Sequence, residues 1–174
     1  QANTAVGYDA LNSLTSGRYN NAMGNYSLPK NKTGWYNTAI GNSALRDNVD
    51  GDNNAAFGHG ALQKNKAHNN VAFGHNAALA NTTGTRNIAI GYKAYNAAIL
   101  ADDNLAIGYE ALGGDVVTGE RNIAIGNYSM EANTSGGYNT ALGYYSLGAN
   151  TTAAFNTALG FESMYKTKTA GLNT

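Results

Sequence analysis

Few side chains in this sequence are equipped for chemistry. His59 and His75 each follow the same three residues, Ala-Phe-Gly, and stand 16 residues apart. A repeated context at that distance puts the two imidazoles in equivalent, stacked places. In an assembly of several copies they would form a belt suited to a metal ion or to pH sensing. The plainer reading is that this slot takes medium-sized polar or aromatic residues, because its equivalents are Tyr8, Asn25, Asn42, Tyr92, Tyr109, Asn127, Tyr144 and Phe161. His68 sits in a variable turn. The segment DNVDGDNN (47–54) gathers Asp47, Asp50 and Asp52 on a glycine-containing turn, an oxygen set of the kind that holds Ca²⁺. Val49 stands where an EF-hand ligand belongs and no Glu closes the loop, so an Asx-rich turn accounts for it better. Asp102 and Asp103 read the same way.

Twelve Tyr and one Trp make up the rest. Tyr19, Tyr36, Tyr138 and Phe155 share one slot, with Trp35 beside it, and Tyr26, Tyr128 and Tyr145 share another. Exposed rows of this kind can stack on sugar rings, which makes Tyr19, Trp35, Tyr36 and Tyr138 candidate ligand contacts; the alternative is packing between turns or subunits. Asn-x-Ser/Thr sequons at Asn25, Asn31, Asn81, Asn127, Asn133 and Asn150 matter only in a eukaryotic secretory pathway.

All these slots belong to one internal repeat. Aligned on a recurrent glycine, ten units begin at Asn3, Asn20, Asn37, Asn54, Asn70, Asn87, Asn104, Asn122, Asn139 and Asn156, and an eleventh begins at Asn173. Counting that Asn as position 1, position 3 is Ala in all ten. Position 4 is a sizeable apolar residue, from Val6 to Leu159. Position 5 is Gly7, Gly24, Gly41, Gly58, Gly74, Gly91, Gly108, Gly126, Gly143 and Gly160. Position 8 is Ala or Ser, and position 9 is Leu or Met except at Ala78 and Tyr95. The period is 17 residues, apart from a fourth unit one residue short and a seventh one residue long. Both length changes fall in positions 10–16, which marks that stretch as a surface turn and the rest as ordered structure.

A 17-residue period is too short for a helix–turn–helix repeat, and the fixed Gly, β-branched residues and Asn disfavour helix. The reading is all-β: a parallel β-solenoid with ten rungs of about 17 residues, residues 1–174 forming a single array. Positions 2 and 4 face one way and positions 3 and 5 the other, with a second short strand expected near positions 8–9. Stacked aliphatics at positions 4 and 9 are expected to supply the core, and stacked Asn amides to bond from rung to rung. At ~4.8 Å per rung the rod is roughly 48 Å long. So thin a rung encloses little, and the all-small Ala/Gly side is expected to let other copies approach, a cyclic homo-oligomer being the usual outcome.

Composition removes several classes. Formal net charge is zero, with 11 basic and 11 acidic residues, which argues against nucleic acid as a partner. No basic cluster suits an anionic membrane and no apolar run reaches the ~20 residues of a spanning helix, so no membrane insertion is expected. Cysteine is absent, which excludes disulfides and thiolate metal sites. No cofactor and no catalytic residue are predicted. The chain has no secretory signal and starts and stops within the array, so a fragment of a longer protein, or end-to-end stacking, is expected.

NTAVGYDAL (3–11), NTAIGNSAL (37–45), NIAIGYKAY (87–95) and NTALGYYSL (139–147) resemble the head repeats of YadA-like trimeric autotransporter adhesins. They are more similar still to the longer Asn-Thr-Ala-Ile-Gly repeats of bacteriophage tail-fibre proteins. The resemblance runs through the whole chain. It implies a left-handed parallel β-roll, a homotrimer, and an extracellular attachment role on a virion tail fibre or bacterial cell surface, facing a cell-surface glycan or receptor. The 17-residue period is longer than an adhesin-head rung, and no coiled-coil heptads or membrane anchor are present.

Two other functions find partial matches in the sequence. IGYKAY matches one hexapeptide of the left-handed β-helix of trimeric acyltransferases, but only once per rung, and a three-sided rung would be needed. An ice-binding solenoid needs an unbroken Thr array, and position 2 interrupts Thr4, Thr38, Thr140 and Thr157 with Asn21, Ala55, Val71, Ile88, Leu105 and Ile123.

Overall fold

The computed structural model describes residues 2–114, 116–169 and 171–173. Each unit contributes one three-residue strand: β1 (Thr4–Val6), β2 (Asn21–Met23), β3 (Thr38–Ile40), β4 (Ala55–Phe57), β5 (Val71–Phe73), β6 (Ile88–Ile90), β7 (Leu105–Ile107), β8 (Ile123–Ile125), β9 (Thr140–Leu142) and β10 (Thr157–Leu159). They form one parallel sheet in chain order. Register follows the repeat, so Ala5 faces Ala22 and Ala89 faces Ala106. The protein is an all-β solenoid in which equivalent residues stack along the axis.

The inside and the outside are reversed from the expected order. The position-3 alanines, from Ala22 to Ala158, are buried, as is position 9 (Leu28, Leu45, Leu62, Leu112, Met130, Leu147). Position 4 points outward: Val6 is 53% exposed, Phe73 58% and Leu142 43%. The cause is the bore of the rung. What lies close against the Ala/Gly side is the far wall of the same rung, and between the two there is room for a methyl and one leucine, not for two aliphatic rows. Position 4, joined at position 2 in the middle rungs by Val71, Ile88, Leu105 and Ile123, therefore forms an apolar ridge on the outer face of the sheet.

Among the described residues no second strand forms at positions 8–9. After the strand, Gly at position 5 takes φ between 120° and 140°. Glycine is needed there for a second reason: a Cβ on Gly91 would lie 2.3 Å from the Gly108 carbonyl oxygen one rung on. Positions 7, 9 and 17 are also left-handed although, Gly60 apart, they are not glycine, as at Ser43 (φ 58°), Leu45 (51°) and Tyr36 (58°). Each such residue costs roughly 1–2 kcal/mol of strain. Burying a leucine at position 9 recovers about as much. Rung-to-rung bonds continue through the bend in both directions, Leu45 N–H donating to Ala61 O at 3.1 Å and Ser43 N–H to Asn25 O at 2.9 Å.

Candidate functional site

The position-1 asparagines from Asn20 to Asn156 are buried corner braces. Asn37 Nδ2 donates to Gly51 O across its own rung at 2.7 Å and to Asn20 Oδ1 in the preceding rung at 3.1 Å. The Asn37 Oδ1 accepts the backbone N–H of Asn54 at 3.0 Å and its Nδ2 at 3.1 Å. One amide thus satisfies donors and acceptors in three rungs, which aspartate could not do without a proton and serine could not reach.

Positions 10–16, expected to be a surface turn, carry a second buried row. Asn31, Asn48, Asn65, Asn81, Asn133 and Asn150, all at position 12, are fully buried. Their Nδ2 groups bond the position-15 carbonyl, as Asn81 does with Gly84 O at 2.9 Å. In places they also bond one another, as Asn150 does with Asn133 Oδ1 at 2.9 Å. Recurrence of Asn within a variable segment was the signal for this row, hidden by the surrounding diversity. Burial also removes Asn31, Asn81, Asn133 and Asn150 as glycan acceptors, whatever their sequons suggest.

His59 and His75 stack with centroids 4.9 Å apart and planes 13° off parallel. Parallel rings direct their nitrogens side by side instead of converging them on one ion. Among the described residues no group of three His, Asp, Glu or Cys side chains is placed to hold a metal. The stack continues through Tyr92 (5.4 Å) and Tyr109 (5.2 Å). It then turns edge-on to Tyr128, itself stacked on Tyr145 at 4.8 Å. The acidic turn is likewise occupied from within. Asp47 pairs with Lys30 at 2.7 Å and Arg46 at 3.0 Å, and Asp52 accepts the Trp35 backbone N–H at 2.7 Å. Asp50 is exposed, so the three carboxylates do not converge.

The position-17 row alternates aromatics with charge. Tyr19 and Tyr36 stack at 5.0 Å, Tyr138 and Phe155 at 4.9 Å. Between these pairs runs an ion ladder in which Asp103 binds Arg86 at 2.5 Å and Arg121 at 3.7 Å. Hydrogen bonding and charge from Arg86 hold the Asp103 carboxyl below its ordinary range. Arg121 lies over Tyr138 at 5.3 Å from the ring centroid and donates to its hydroxyl at 2.6 Å. Arg18 covers Trp35 at 5.4 Å. Each of these rings has a neighbour inside the chain, and Tyr19, Trp35, Tyr36 and Tyr138 nevertheless stay 40–54% exposed.

No family model, no curated protein and no solved structure matches this chain.

Proposed function

We propose that this chain is a rigid structural module of an extracellular attachment fibre, a phage tail fibre or a bacterial surface adhesin, in which three copies pack side by side. The resemblance of its repeats to those of such proteins suggests the role, the left-handed winding and the trimer. The observation that carries the assembly is the outer apolar ridge. Phe73, Ile90 and Leu142 stand exposed at position 4, and Val71, Ile88 and Ile123 at position 2. A continuous exposed apolar strip of this length is characteristic of a protein–protein contact. Parallel copies would set identical rungs against one another, closing the ridge around an axis. The module would then project and orient a binding tip. The acyltransferase alternative needed a three-sided rung, whereas the described residues form a single sheet with one strand per rung.

Light scattering behind a sizing column tests the assembly. A mass of three times the 18.1 kDa chain is expected. A monomer that stays soluble at high concentration would sink the reading.

A further inference from the structure

Lys-x-Lys recurs three times in the variable turns, as KNK at 30–32 and 64–66 and as KTK at 166–168. In each copy the lysines take positions 11 and 13 of the rung. Position 12 between them is turned inward. Asn31 and Asn65 are buried and Thr167 is half-buried, while all six flanking lysines are exposed. Backbone bonds to the next rung fix this arrangement, Lys32 N–H donating to Val49 O at 2.8 Å and Lys66 N–H to Thr82 O at 2.8 Å.

These lysines are the cations that the chain leaves unanswered. Outside the three turns, Arg46, Arg86, Lys93 and Arg121 are held by carboxylates, and Arg18 lies over the Trp35 ring. Lys30 pairs with Asp47 at 2.7 Å. Lys32, Lys64, Lys66, Lys166 and Lys168 have neither an ion pair nor a ring among the described residues.

Stacking gathers what the sequence spreads out. The turns of rungs two, three and four set Lys30, Lys32, Arg46, Lys64 and Lys66 on one face with two carboxylates, Asp47 and Asp50. Asp47 is already taken by Lys30 and Arg46. Along position 13 the face reads Lys32, Val49, Lys66, so a cation, a neutral residue and a cation follow in successive rungs. The two cations stand roughly 10 Å apart along the axis, two rung spacings. In rung ten the motif stands alone, because Ala132 and Thr134 hold the same positions two rungs before it.

The pattern discriminates among polyanions. Single-stranded nucleic acid needs rings for its bases to stack on, and positions 10–13 of these three rungs carry none. A duplex sets a phosphate every ~3.4 Å along each strand, far denser than this column of lysines. An anionic membrane offers a plane of charge, whereas these lysines occupy one narrow turn of a rod of zero net charge. An extended polysaccharide advances by close to one ~4.8 Å rung per sugar. With a carboxylate on every second sugar, its charges fall on Lys32 and Lys66, and the neutral sugar between them falls on Val49.

We propose that the turn face of rungs two to four binds an extended acidic polysaccharide, charged on alternate sugars and lying along the rod axis. Lys32 and Lys66 meet successive carboxylates, with Lys64 beside them. The proposal deepens the attachment reading by naming a ligand class and rests on it for purpose, but its geometry belongs to a single chain.

The test is isothermal titration of the full chain with a decasaccharide of alternating glucuronate and N-acetylglucosamine. Saturable binding that weakens with added salt is expected. Lys32→Gln with Lys66→Gln should weaken it at least about fivefold, and Asp50→Asn, which removes the uncommitted carboxylate of the same face, should strengthen it. Lys166→Gln with Lys168→Gln should leave it unchanged. All these side chains are exposed, and circular dichroism verifies that the variants fold. Absence of saturable binding, or indifference to the Lys32 and Lys66 changes, would overturn the proposal. So would tighter binding of a galacturonate decamer, of a deoxythymidine decamer or of phosphatidylserine vesicles. Light scattering on the same samples separates the two ideas: a trimer that ignores the acidic sugar sinks only this proposal, and a monomer that binds it sinks only the assembly.

Discussion

Asn104 donates through Nδ2 to the hydroxyl of Tyr95 at 2.9 Å, and Tyr95 passes its own proton to the Ala101 carbonyl, also at 2.9 Å. That carbonyl is at position 15, which in other rungs is bonded by the position-12 asparagine. In this rung position 12 is Ala98. The phenol has taken over the missing amide's work, and the ring fits because its position-9 neighbour one rung back is Ala78 instead of leucine. Burial drives the Tyr95 hydroxyl pKa upward, which keeps it a donor throughout the accessible pH range.

Tyr95→Phe should therefore cost about 1–3 kcal/mol, the usual penalty for leaving buried polar groups unmet. The triple change Tyr95→Leu, Ala98→Asn and Ala78→Leu restores the repeat and should cost far less than the sum of its parts. Denaturant midpoints of the single and combined variants measure that non-additivity.

Asn139→Ala orphans the buried N–H of Asn156, now bonded to Asn139 Oδ1 at 3.0 Å, and should destabilise by about 1–3 kcal/mol from that group alone. Asn139→Asp keeps the acceptor but buries a charge, so its native pKa lies above the unfolded value of about 3.9. A raised native pKa gives stability that is present below the unfolded value and lost as pH climbs through the native one. Its deficit should shrink on acidification, read as thermal midpoint against pH.

Gly91→Ala asks a Cβ to occupy space 2.3 Å from the Gly108 oxygen, at φ 133°. Neither backbone can yield without breaking rung-to-rung bonds. Loss of amide protection in the sixth and seventh rungs, ahead of the outer rungs, is the expected hydrogen-exchange result.

Phe73→Asp with Ile90→Asp should leave the circular dichroism of the chain unchanged, since both side chains point outward. The same pair should reduce the assembled mass to that of one chain.

Asp103→Asn removes the centre of the Arg86–Asp103–Arg121 ladder. The Asp103 pKa is depressed in the folded chain, so its contribution is present above the unfolded carboxylate value and fades as pH falls through the native one. The wild type should lose its advantage over the variant in acid, and at neutral pH in high salt, because the ladder is solvent-exposed.

The sequence carried the period, the strand at positions 2–4 and the position-1 Asn column, because a stacked solenoid repeats its constraints once per rung and ten equivalents of Asn37 and Gly41 mark them. It also pointed to a second strand at positions 8–9 that does not form among the described residues, and it hid the buried Asn row at position 12. It misled about which side is inside. Alternation assigns two faces to a strand but does not say which is covered, and a large residue such as Ile90 is ordinarily the buried one. Only the narrowness of the rung reverses that, and narrowness is set by the left-handed residues at positions 7 and 9, where Lys93 and Tyr95 give no hint of positive φ.

The hydrogen bonds that join Asn37 to Asn20 and Leu45 to Ala61 run parallel to the rod. A pull applied at the two ends of the chain peels that ladder from an end instead of shearing it, so tension meets one rung at a time. Each rung that yields pays out 17 residues, or about 60 Å of slack. A fibre built this way would answer a sudden load by lengthening in equal steps, its remaining rungs still wound.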